Sequence, residues 1–246
     1  MSDLPLDSAE VRERLAARVD SEALAWLDDV CARIAADVKE LARHFPAAGR
    51  KLGRGPLDPD ASPDDVHAWT IDDAGRVLML VAAGDGAEGE LDELYRFGDA
   101  AERRGILRAL AYLPIGDRGL HIAEDAVRSN DTRLIAAALG PYATAHMPDE
   151  AYDHALLKCV FTEVPITPLD GVPDRVTPNA SRMLAALVHE RIAAGRDVPA
   201  EVWPVIELHP PAEELRAIEA ELESPYEDRR AAAERALAKR KGAQPH

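Results

Sequence analysis

Glu150, His154 and Lys158 recur at four-residue intervals within MPDEAYDHALLKCVFTEVPI, residues 147–166. At 100° per residue they form one narrow polar stripe on a helix that is otherwise apolar. Tyr152, Ala155, Leu156, Cys159 and Val160 share the broad apolar face, and Leu157 and Phe161 carry it further round. A lysine enclosed on such a helix is costly unless paired, so it either meets an anionic group or has its pKa lowered enough to act as a base or a Schiff-base amine. In the catalytic version His154 or His146 shuttles protons and Arg128 steadies an anion. The plain alternative is a solvated ridge steadied by i,i+4 pairing, with Lys158 extending its stem outward.

Other polar groups cluster at element ends. Arg50, Lys51 and Arg54 stand on GRKLGRGPL (49–57), whose composition suits a phosphate or carboxylate, although it lacks the Lys-Ser/Thr of a nucleotide-binding loop. Arg128 and Asn130 close EDAVRSND (124–131), where the helix dipole alone favours a cation. Tyr142 and His146 lie in PYATAHM (141–147), read as a loop. HIAED (121–125) sets His121 one turn before Glu124 and Asp125, a two-ligand metal edge without a third ligand, so no metal is expected. Metalloprotease, serine-hydrolase, paired-cysteine and EF-hand motifs are missing, and no cofactor is expected.

Helices must position these groups. Start signals recur at Asp7-Ser8-Ala9-Glu10, Ser62-Pro63-Asp64-Asp65 and Ser224-Pro225-Tyr226-Glu227, and strand alternation is missing. The pattern predicts helices near 8–19, 21–45, 63–83, 88–98, 99–112, 117–129, 131–139, 148–162, 177–194, 199–207, 211–223 and 225–240. Loops fall at 51–62, 113–117, 140–147 and 165–176. Short linkers favour antiparallel neighbours, and LESPYEDRRAAAERALAKR (222–240) reads like half of a HEAT-type unit. The expected fold is all-α without significant sheet, an irregular α-α stack or HEAT-like α-solenoid. It forms one domain over 1–240, with 241–246 a loose tail.

The totals narrow the function classes. A net charge of −16 disfavours nucleic acid and anionic membrane surfaces. Cys31 and Cys159 are too few for a disulfide framework, and the longest strongly apolar run, VLMLVAA (77–83), is far too short to span a bilayer. MSDLPLDSAE lacks a secretory pattern, so a cytoplasmic location is expected.

Several segments together resemble the EboA family: GRKLGRGPL, WTIDDAGRVLMLV, GDAAERRGILRALAYLP, EDAVRSND, GPYATAHMPDEAYDHALLKCVF and RMLAALVHERIAAGRDVPAEVWPVI. They follow the family's order across most of residues 49–206. The resemblance implies an all-helical, HEAT-like accessory protein, encoded within a gene cluster that makes or moves a secondary metabolite. By similarity its ligand-binding positions are Arg54, Arg128, Asn130, His146, Lys158, His189 and Glu190. The expected function is binding of an anionic or polar metabolite, or docking of a partner enzyme from the same cluster, without nucleic acid or membrane insertion. The alternative is a cofactor-independent enzyme built on Lys158 with His146 or His154.

Overall fold

The computed structural model describes residues 7–62 and 64–243. The fold is all-α. Among the described residues there is no strand, only an isolated antiparallel bridge between Pro56 and Thr70. The chain divides into two compact units, Met1–Met147 and Pro148–His246.

The first unit holds α1 (Ser8–Ala16), α2 (Ser21–Ala36), α3 (Glu40–His44), α4 (Ala48–Lys51), α5 (Ile71–Ala83), α6 (Glu88–Phe97), α7 (Ala100–Ala109), α8 (Leu120–Arg128), α9 (Thr132–Ala138) and α10 (Pro141–His146). Helix α5 is its axis: every residue from Ile71 to Leu80 is buried, and α1, α2 and α7 pack against it. Its start differs from the expected 63–83 helix. Pro63 lies outside the described residues, and Ser62 Oγ accepts from the Asp64 amide at 3.3 Å in a turn. The cap is Thr70: its Oγ1 accepts from Asp73 N at 3.4 Å while Asp73 Oδ2 accepts from Thr70 N at 3.2 Å. This reciprocal box satisfies donors the helix cannot pair itself.

Two further expectations change for local reasons. The single helix expected over 21–45 breaks at Asp37, which turns to extended backbone, and its carboxylate accepts from Lys39 N at 3.0 Å. The loop expected at 140–147 is helix α10, with Pro141 in the first turn, where its missing N–H costs nothing.

The second unit holds α11 (Asp149–Phe161), α12 (Val172–Arg175), α13 (Pro178–Ala193), α14 (Val202–Ile206), α15 (Ala212–Ala220) and α16 (Glu227–Ala243). Helix α13 is central here, burying Ala180, Ser181, Leu184, Ala185, Val188 and Ile192 at helical spacing against α11, α14, α15 and α16. Helix α16 approaches closely because its buried face is Ala232, Ala233 and Ala236. It extends to Ala243, into the segment expected as a tail.

Candidate functional site

The predicted face of α11 is buried as expected: Tyr152, Ala155, Leu156, Cys159 and Val160 face the interior. On the polar stripe Glu150 and His154 are exposed and Lys158 is half-buried. Phe161, read as part of the apolar circumference, is 72% exposed.

The sequence-derived positions fall in both units. In the first, Arg54 is exposed and drapes over Gly49, where an added Cβ would lie 2.6 Å from Arg54 Nε. Asn130 is exposed after α8. His146 is exposed at the end of α10, its ring centroid 4.6 Å from that of Tyr142. In the second, Glu190 is exposed, while His189 Nε2 stands 3.0 Å from Glu221 Oε1. Arg229 grips the same carboxylate, its Nε donating to Oε2 at 2.8 Å. His189 thus holds α13 to the helix turn before α16.

Arg128, from this set, lines a cleft. Helices α6, α7 and α8 form an open surface cleft of about 420 Å³ lined by Asp92, Tyr95, Arg96, Arg103, His121, Asp125 and Arg128. The amphipathic α6 supplies Asp92, Tyr95 and Arg96 from one stretch, and α8 brings His121, Asp125 and Arg128 at i and i+4 and i+7 spacing. Arg103 is fixed from below. Its Nε donates to the Gly98 carbonyl at 3.1 Å, its Nη2 to the Arg96 carbonyl at 3.1 Å, and its Cζ sits 5.2 Å from the Tyr95 ring centroid.

Burial, with the Asp125 charge added, pushes the Tyr95 phenol up to about 12, so it stays protonated and donates to Asp125 Oδ2 at 3.2 Å. Asp125 also meets Arg128 Nη2 at 3.5 Å, a long contact for a charged pair. His121 Nε2 lies 2.6 Å from Asp92 Oδ1. Among the described residues no group of three His, Cys, Asp or Glu side chains is placed to hold a metal. Three guanidinium groups against two carboxylates give the cleft a local positive excess in a chain of net charge −16. A small anion would be drawn there.

A family model described as metabolite traffic protein EboA matches residues 8–207. The chain belongs to the EboA family. Neither a curated protein nor a solved structure matches it. The EboA match ends after α14, so α15 and α16 lie beyond it. A larger cleft of about 620 Å³ sits between those two helices, lined by Leu222, Leu237, Ala238 and Arg240 among others. Its arginine is already committed to Glu207 at 2.7 Å and Glu219 at 3.3 Å. In this member of the family the cleft around Arg128 is therefore the better candidate, because it lies inside the matched region and its guanidinium groups outnumber its carboxylates.

Sequence reasoning missed the strongest polar assembly in the first unit. Asp72, Asp73, Arg76 and Arg104 are all buried, as is the Arg108 side chain, and they lie within two of the segments that carry the family resemblance. Arg104 Nε reaches both Asp73 oxygens, at 2.9 and 2.8 Å, and its Nη2 donates to Thr70 Oγ1 at 3.0 Å. Arg76 Nη1 donates to Asp72 Oδ2 at 2.6 Å. Arg108 Nη2 donates to the His67 and Ala68 carbonyls at 3.1 and 2.9 Å, and burial lowers its pKa. The available signal was the i,i+4 spacing of Asp72 and Arg76 together with arginines at both 104 and 108 on one helix.

Proposed function

We propose that this EboA-family protein is an accessory protein that holds a small anionic metabolite in the α6–α7–α8 cleft, without transforming it. Arg103, pre-positioned by two backbone carbonyls and a tyrosine face, is the observation that carries the reading. A guanidinium already held in place loses little freedom when it meets a carboxylate or phosphate. Arg128, whose contact with Asp125 is a long 3.5 Å, can turn to the ligand. The cleft volume of about 420 Å³ fits a small metabolite rather than a macromolecule. The family description as a metabolite traffic protein supports the same reading.

Equilibrium binding of host-extract metabolites, followed by mass spectrometry of the bound fraction, tests it. Arg128→Met, a substitution at an exposed side chain, should weaken binding of the retained anion by about tenfold, the loss of one charged contact. Unchanged binding by that variant, or turnover of the bound molecule by the wild type, would sink the proposal.

A further inference from the structure

The cleft between α15 and α16 differs in chemistry from the one around Arg128. It measures about 620 Å³, and Leu222, Leu237 and Ala238 give it an apolar lining. Leu222 is 37% exposed and Ala238 is exposed, so that lining stands open to water. The charges around it balance, Glu219 and Glu234 against Arg240 and Lys241. Arg240 is engaged by Glu207 at 2.7 Å and by Glu219 at 3.3 Å. Glu234 and Lys241 are exposed, and neither has an ion-pair partner among the described residues.

Glu234, Ala238 and Lys241 follow at i, i+4 and i+7, one stripe along α16 opposite its buried face of Ala232, Ala233 and Ala236. Glu234 and Lys241 therefore stand about 10 Å apart along the helix axis, with Ala238 between them. A row that runs acid, small residue, base is complementary to itself when reversed. A second copy laid antiparallel along the stripe sets the partner's Lys241 beside Glu234 and the partner's Glu234 beside Lys241, around a twofold axis near Ala238. Alanine at the crossing lets two helix backbones approach, and the exposed leucines leave water there. An anion or a strongly basic partner finds no match in a lining whose charges cancel. Two chains of net charge −16 repel each other least where the local charge is zero.

We propose that the α15–α16 face is a docking surface for a second copy of this chain, in an antiparallel, twofold pairing of α16. The surface lies beyond the EboA match and is independent of the cleft around Arg128. Sedimentation of the full chain over a series of rising concentrations tests it, and wild type should pass from monomer to dimer. Glu234→Lys and Lys241→Glu, both at exposed positions, each create two like-charge contacts across the axis and should weaken self-association by at least about tenfold. An equimolar mixture of the two variants regains both opposite-charge contacts, so a mixed dimer should return to near the wild-type level. A wild type that is monomeric at every concentration overturns the proposal, whether the cleft then holds a small apolar molecule or another protein. Self-association that neither variant weakens, or a mixture that fails to recover it, also overturns the pairing. If either variant fails to fold by circular dichroism, Ala238→Cys decides: on mild oxidation a dimer cross-linked at position 238 supports the pairing, and its absence overturns it.

Discussion

Arg104 Nε stands 2.9 and 2.8 Å from the two carboxylate oxygens of Asp73, a residue 31 positions earlier in the chain. The pair fixes the first turn of α5 against α7 inside the first unit. Asp73 also closes the cap of its own helix and lies 3.1 Å from Arg108 Nε, so one carboxylate serves two helices. Asp73→Ala leaves two buried guanidinium groups without it. A loss of about 3–5 kcal/mol in unfolding free energy is expected, measured by urea denaturation. A change below about 1 kcal/mol, the range of an exposed pair, would show that the network is not buried as described.

Gly105 makes the α5–α7 contact possible. A Cβ there would lie 2.7 Å from Arg76 Cδ and 2.9 Å from its Cβ, and the second of these atoms cannot swing away. Gly105→Ala should destabilise by about 1–3 kcal/mol through overpacking, read as a lowered melting temperature. Stabilisation, the usual effect of replacing a helix glycine by alanine, would refute the close approach.

Tyr142 ties α10 to the turn before α8. Its hydroxyl accepts from Gly119 N at 2.9 Å and donates to the Gly116 carbonyl at 2.6 Å. Tyr142→Phe leaves a buried N–H unpaired and should cost about 1–3 kcal/mol by thermal or urea unfolding.

Much of this was legible in the chain. The wheel of α11 gave the buried set Tyr152, Ala155, Leu156, Cys159 and Val160, because period and polarity agree there. The start of α5 was misplaced because Ser62-Pro63 carries a local cap pattern. The cap used is Thr70 with Asp73, whose carboxylate is committed to arginines more than thirty residues away. Such pairing leaves no trace in periodicity, so the helix expected over 63–83 gave no sign that Asp72, Asp73 and Arg76 are buried together. The cleft around Arg128 was half-visible for the same reason: HIAED and EDAVRSND mark α8, while Arg103 and Tyr95 reach the cleft only through the packing of α6 and α7.

In the second unit, Glu221 is pushed up by burial and pulled down further by hydrogen bonds from Arg229 and His189, ending below its ordinary 4.5. A carboxyl lowered in the folded state contributes stability above 4.5 and loses it as pH falls through its folded value. Stability of the wild type should therefore fall on acidification below about pH 4.5, and Glu221→Gln should flatten that limb in urea titrations across pH. An identical acid limb in the variant would exclude Glu221 from it.

Native mass spectrometry of the protein purified from its own host is the most direct test of metabolite binding. The proposal predicts one anionic small molecule per wild-type chain, of unchanged mass after prolonged incubation, and largely lost from Arg128→Met. A wild-type chain carrying no small molecule, or an Arg128→Met chain carrying it in full, would contradict the α6–α7–α8 cleft as the binding site.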